Sequence, residues 1–391
     1  MFSKRKQREQ KCFFISLSHI YLEKMDQEQA QVLFSEGAVL VFLDVPVGTE
    51  FGIDYNSWNV GPNFKGVKMI PPGIHFVYYS ACNSEKDSAP RTGFFYNFKH
   101  REMVVRKWDK LTEDISSDVV TEEELNRFKE NKKELDRYLG AYPYESYKKW
   151  VSLTDHLTPR LVGQLQPANE KISAVTEFIS ESSTTETRRN AMEIQDGIKN
   201  SDSEDTRLPK METKPETVIQ YTQIPKHKYP SGASPAEITK YSMDSSYVLE
   251  TILSERFTVN DTEILGELQF AFICFIVGQN YDSFEQWKRL VHLLCTCEEA
   301  ISNHSDLYTQ FISILHFQLQ EIPEDFFVDI VSQNNFLTGT LQEFFSNLES
   351  SIADNKLKRR GVKFQAYLTK IFKWDFASEA DEYAPVIVEA Q

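Results

Sequence analysis

The stretch from Gly48 to Gly73, GTEFGIDYNSWNVGPNFKGVKMIPPG, limits what this chain can fold into more than any other. It carries five glycines and three prolines, interleaved with Phe51, Tyr55, Trp58 and Phe64. A helix does not survive that density, because Gly forfeits backbone entropy and Pro removes a donor and clashes with the preceding turn. The rings and the pair Pro71-Pro72 argue against a floppy linker. The stretch reads as a long ordered loop between strands, pinned by buried rings. Ordered loops of that length usually carry function.

What flanks the stretch is β-rich. AVLVFLDV, from Ala38 to Val45, has the β-branched run of a buried strand. GIHFVYYSA from Gly73, GFFYNFK from Gly93 and EMVVRKWD from Glu102 follow. The last two are separated by a tight His100-Arg101 connection and read as a hairpin. Together they predict a small, mostly antiparallel unit of the sandwich kind, preceded by a short helix over 26–36. The period then changes. Thr121 and Glu124 form a capping box. Leu125, Phe128, Leu135, Tyr138 and Leu139 recur at helical steps, with Gly140 as a C′ residue. Thr158-Pro159 opens another short helix that ends before Pro167.

Composition shifts over 171–220, where SESSTTETRRN and GIKNSDSEDTRLPK are polar, charged and poor in core residues. This reads as a disordered linker. Ser201, with Glu204 three residues on, is the candidate phosphorylation site, against the plainer reading of a solvated spacer. A helical domain over 221–377 follows. It opens with the capping box Ser234-Pro-Ala-Glu237 and continues through apolar periodic runs from Ile264, Tyr281, Asp306, Glu324 and Lys363. The run from Ile264 is apolar nearly all round and is expected at the centre. The fold class is therefore α+β, a sandwich-like β domain (25–170) followed by an all-α domain. The acidic tail, 378–391, contains Val386, Ile387 and Val388, which could add a strand to a partner's sheet. Residues 1–24 read as a disordered extension. Their basic and apolar runs imitate a signal peptide without a cleavage site.

With 43 Lys and Arg against 58 Asp and Glu, the net charge of the 391 residues is −15. That balance is poorly suited to gripping a phosphate backbone and better suited to a protein with a basic face. Five cysteines over this length imply no disulfide framework. No run of apolar residues is long enough to span a membrane. Phosphate-cradling, zinc-protease and serine-hydrolase motifs are missing. Cys295 and Cys297, two apart within a helix, point to different faces and chelate poorly. No metal or cofactor is expected. Glu50 and Asp54 are the best acid/base candidates, as a hydrolase pair, but carboxylates in Gly-rich loops more often cap turns. Tyr55, Trp58 and Phe64 either anchor a partner or pin the loop to its own domain.

The same strings carry a family likeness. GTEFGIDYNSWNVGPNFKGVKMIPPGIHFVYYS, KELDRYLGAYPYESYKKWVSLT, GASPAEITKYSMDSSYVLETIL, LGELQFAFICFIVGQNYDSFEQWKRLVHLLC and EIPEDFFVDIVSQNNFLTGTLQEFF resemble the AAR-two family of pre-mRNA splicing factors. The resemblance implies a non-enzymatic assembly chaperone of the U5 small nuclear ribonucleoprotein, in nucleus and cytoplasm. It implies binding to the large central spliceosomal scaffold near its RNase H-like and Jab/MPN-like domains, which delays helicase association. It also implies a VHS-like helical domain and partner release by phosphorylation. That VHS likeness leaves a membrane-trafficking adaptor as an alternative, against which the missing lipid-binding patch speaks.

Overall fold

The computed structural model describes residues 27–82, 88–116, 120–176, 213–225, 228–322 and 336–376. The N-terminal extension, Ser201 and the tail with Val386, Ile387 and Val388 lie outside the described residues.

Helix α1 (Gln27–Glu36) leads into β1 (Ala38–Leu43). Then come β2 (Glu50–Ile53), β3 (Asn56–Asn59), β4 (Gly66–Ile70) and β5 (Gly73–Ser80). They are followed by β6 (Thr92–Phe98), β7 (Met103–Asp109) and β8 (Asp114–Ile115). Helices α2 (Glu122–Glu130) and α3 (Lys132–Leu135), strand β9 (Leu139–Ala141), helices α4 (Tyr147–Thr154) and α5 (Pro159–Leu165), and strand β10 (Ile172–Ser173) complete this half. One sheet has the order β8-β7-β1-β4-β9 and the other β10-β6-β5-β2-β3.

Three expectations are corrected here. The Gly48–Gly73 stretch is not a loop; it supplies β2, β3 and β4. Two of its glycines, Gly52 and Gly66, are close-approach positions within strands. A Cβ at Gly52 would meet the Tyr78 ring, and one at Gly66 would lie 1.9 Å from the Leu40 carbonyl oxygen. Second, β6 and β7 do not pair. The corner at Lys99–Glu102, with Arg101 at φ +56°, carries the chain from one sheet to the other. There Glu102 accepts from the Lys99 N–H and the Tyr96 hydroxyl. Strand β7 instead runs parallel to β1, as β9 does to β4. Third, the helix from Thr121 keeps its capping box but stops at Glu130, and Leu139-Gly140 begins a strand. Helical spacing continued there by coincidence, whereas the β4 edge offered hydrogen bonds.

Alternation along β1 and β5 sets the layers. Leu40 and Phe42 enter the core between the sheets, while Val39 and Val41 pack with Leu135 beneath α2 and α3. Val77 and Tyr79 also enter the inter-sheet core, but Phe76 and Tyr78 point the other way, into the helical domain. The centre of the second sheet, at β5, is thus buried on both faces.

The helical half comprises α6 (Pro235–Met243), α7 (Ser246–Arg256), α8 (Glu263–Ile276), α9 (Tyr281–Cys295) and α10 (Glu298–Asn303). Helices α11 (Ser305–Glu321), α12 (Phe336–Ser350) and α13 (Asn355–Phe372) follow. The run from Tyr281 breaks at Thr296, so Cys295 ends one helix and Cys297 caps the next. Both are buried free thiols rather than members of one helix.

Helix α8 is the centre. Every residue from Glu263 to Cys274 is buried. Phe270 stacks on Phe95 of β6 at 4.7 Å. A Cβ at Gly266 would lie 2.6 Å from the His156 carbonyl oxygen, so α8 touches the chain entering α5. The buried polar groups of α8 are paired across the seam, as burial requires. Gln269 accepts from the His156 N–H (2.8 Å) and donates to Asp155 (2.7 Å). Glu267 accepts from the Thr222 N–H (2.8 Å), the Thr222 hydroxyl (2.6 Å) and Gln286 Nε2 (3.0 Å). The segment leading to Thr222 also donates from the Gln220 N–H to the Leu165 carbonyl at 2.7 Å, strapping α5 to α8.

Gly66 sits at φ +133°, a region closed to L side chains. Gly66→Ala is expected to destabilise the protein by at least about 3 kcal/mol in denaturant unfolding. A loss below about 1 kcal/mol would mean the β1–β4 pairing yields easily. Burial raises the Glu267 pKa above its ordinary 4.5, against the opposing pull of the Thr222 and Gln286 donors. A raised carboxyl adds stability that is complete below its unfolded value and lost as pH climbs through the folded one. Glu267→Gln removes that titration. Its melting temperature should therefore gain on the wild type as pH rises from about 4.5 toward 7. A gap between the two that stays constant over this range would refute the assignment.

Candidate partner-binding surface

Strands β2 and β3 form a hairpin that pairs Glu50 with Asn59, Phe51 with Trp58, Gly52 with Ser57 and Ile53 with Asn56. The turn residues are Asp54 and Tyr55. Asp54 takes φ +55°, a conformation that Asp tolerates through local hydrogen bonding. Its side chain then points inward and is 0% exposed.

Asp54 is the hub of a buried polar cluster. Its carboxylate accepts from the Phe76 N–H (3.0 Å) and the Tyr142 hydroxyl (2.5 Å), and lies 2.7 Å from His75 Nδ1. His75 Nε2 lies 2.8 Å from the Pro71 carbonyl oxygen, which can only accept, so Nε2 carries hydrogen. One further proton lies between Nδ1 and the carboxylate. Burial, then the nearby Asp54 charge, pushes the Tyr142 pKa well up, so its hydroxyl stays a neutral donor. This Tyr–Asp–His set resembles a catalytic arrangement in kind. With Asp54 0% and His75 1% exposed, the set is buried, and its bonds tie the hairpin to β5 and to the Tyr142 segment.

Glu50 is engaged elsewhere. It takes a guanidinium hydrogen bond from Arg91 at 2.9 Å. Arg91 also donates to the Val277 carbonyl at 2.6 Å and lies over the Tyr78 ring at 4.4 Å. Glu50 therefore ties the β domain to the loop after α8. The two candidate carboxylates are not brought together as a pair.

The three aromatic candidates part company. Tyr55 turns inward, edge-on to Trp150 of α4 at 6.5 Å and beneath the Lys149 ammonium at 4.3 Å. Burial, then the Glu321 and Asp54 charges, raises its pKa far above the usual phenol range. Phe64 is half-buried against Phe51 at 5.1 Å. Trp58 is 42% exposed. It stands on β3, the last strand of its sheet, whose outer edge is paired by no described strand. Ser57 and Asn59 beside it are exposed as well. An edge with free N–H and C=O groups and one exposed Trp is suited to a protein partner.

His75, Tyr142, Arg91, Gln269 and Glu267 were not singled out from sequence. A signal existed for two of them. His75 interrupts the run GIHFVYYS and Glu267 the run LGELQFAFICF. A polar residue within a buried run must find partners. Their identity is set by segments remote in sequence. Asp54→Ala would strand His75, the Phe76 N–H and Tyr142. It is expected to cost about 3–5 kcal/mol in chemical denaturation, with Asp54→Asn milder. A loss under about 1 kcal/mol would remove the cluster's structural role.

Comparison with known proteins agrees with this architecture. The family model described as the AAR2 N-terminal domain matches residues 36–167, and that of the AAR2 C-terminal repeat region matches 221–377. Protein AAR2 homolog of Homo sapiens is 48% identical over 372 residues, covering 94% of this chain and 97% of that protein. Its Mus musculus counterpart is 47% identical over 379 residues, with the same coverage. The A1 cistron-splicing factor AAR2 of Saccharomyces cerevisiae is 24% identical over 367 residues, covering 89% and 96%. With both halves matched and relatives this similar along nearly the whole length, the chain belongs to the AAR2 family, whose yeast member is named a splicing factor.

Proposed function

We propose that this protein is a non-enzymatic assembly factor of the U5 small nuclear ribonucleoprotein, working in the nucleus and cytoplasm. It binds the large central spliceosomal scaffold near its RNase H-like and Jab/MPN-like domains and delays arrival of the helicase. The observation that carries the reading is the match of both domains to a family with a member named as a splicing factor. Three features support it. The two acid/base candidates, Glu50 and Asp54, are each spent on internal bonds. Trp58 stands exposed on an open strand edge, with Tyr55 and Phe64 holding its hairpin in place. A net charge of −15 suits a basic partner surface and steers encounter electrostatically. In the same reading Val386, Ile387 and Val388 extend the contact, and phosphate on Ser201 weakens it.

The test is a pull-down of the scaffold's C-terminal fragment with the full chain. A complex is expected at low and moderate salt, with an association rate that falls as salt rises. Trp58→Ala should weaken it by about 2 kcal/mol, roughly thirtyfold, without changing the melting temperature. Absence of any complex at both salt levels would sink the reading.

A further inference from the structure

The charge along this acidic chain is uneven. Between Asn355 and Lys373 there are seven Lys and Arg and not one Asp or Glu. This segment is α13 with its C-cap. The helix buries Leu357, Gly361, Phe364 and Leu368, a stripe at three- and four-residue steps against α11 and α12. One position back along each step lie Lys356, Arg360, Lys363 and Tyr367, and Lys370 continues the row. The four cations of that row, with Arg359 beside them, are exposed. Arg360 donates to the Ser313 hydroxyl rather than to a carboxylate, and no salt bridge between described residues reaches the row.

The row borders a cleft of about 240 Å³ between α11 and α13. Arg360 and Lys363 line one side, and among the described residues no carboxylate lines it. Its apolar part is made by Ile312 and Phe317, the latter 40% exposed. His316 and Tyr367 close it with their rings 4.3 Å apart. A cleft of that volume takes one large apolar side chain. The eighteen residues of the helix span about 27 Å, the reach of roughly eight residues of extended peptide.

We infer that the α11–α13 face is a docking surface for an acidic peptide segment of another protein, about eight residues long, carrying one aromatic or large apolar anchor. The anchor enters the cleft against Ile312 and Phe317, and carboxylates on either side meet Arg360, Lys363 and Lys370. Charge complementarity selects this occupant. A polyphosphate strand would carry far more charge past a molecule whose net charge is −15. The surface is distinct from the β3 edge and needs nothing from the scaffold contact.

The probe is a fluorescein-labelled octapeptide of Asp and Glu with one central Phe, titrated with the full chain and read by anisotropy. Saturable binding is expected at about 50 mM salt, weakening at least about fivefold by 200 mM. Replacing the Phe by Ser should cost about tenfold. The double variant Arg360→Glu, Lys363→Glu should weaken binding at least about tenfold, with its melting temperature as the folding control. Lys363→Ala, at an exposed position, serves as a second variant with a smaller loss in the same direction. The inference is overturned if the peptide does not bind, or if both variants bind it like wild type. It is equally overturned if oligouridylate binds with the same variant sensitivity while the peptide does not. Binding that appears only after deletion of residues 377–391 would assign the surface to the chain's own tail and also overturn it.

Discussion

Helix α8 has no face left for water, and the rest of the molecule is arranged around that fact. Its apolar residues meet the outer face of the second sheet on one side and the remaining helices on the other. Each fully buried Leu, Ile or Phe contributes about 1.5–3 kcal/mol relative to exposure. A helix of this kind therefore cannot be half-covered. The two domains share one continuous core because α8 draws on both for its cover. Burial in turn makes its polar residues exacting. Glu267 and Gln269 would each strand polar atoms without Thr222, Gln286, His156 and Asp155. These bonds set the relative position of the domains as firmly as the apolar contacts do.

The same logic governs the hairpin of the N-terminal domain. Asp54 reverses the chain and, in doing so, places a carboxylate where His75, Tyr142 and the Phe76 N–H each need an acceptor. Ionisable groups that look chemically promising are thus consumed by architecture. Among the described residues, two exposed features stand apart from that internal pairing. One is an open strand edge with Trp58. The other is a cationic row on α13, beside a small aromatic cleft. Both are recognition features, and they differ in charge preference, so they suit different ligands.

Much of the architecture was legible. The capping boxes at Thr121 and Ser234 and the Thr158-Pro159 start act through neighbours three residues away, and all three are formed. The centrality of α8 followed from a helix with no polar face. The failures share a cause. Lys99–Glu102 looks like a hairpin turn, yet β7 finds its partner in β1, some sixty residues earlier. Gly52 and Gly66 look like loop residues because the close approach that demands them comes from Tyr78 and Leu40. Leu139 fits a helical spacing but is taken by the β4 edge. The fate of Tyr55, Trp58 and Phe64, adjacent in sequence and divergent in exposure, depended on which strand lay at the sheet's margin.

By itself the amino-acid sequence determined the α+β division, the helix starts, the acidic character, and, through long specific strings, the family. These reside in local hydrogen bonding, side-chain periodicity and composition, which need no knowledge of what packs where. The tertiary structure alone decided which strands pair, which carboxylates are buried, and that the domains share a core across α8. Those outcomes turn on contacts between residues far apart in the chain. There, the need to pair buried polar groups and to cover apolar faces selects among partners that local sequence leaves equivalent.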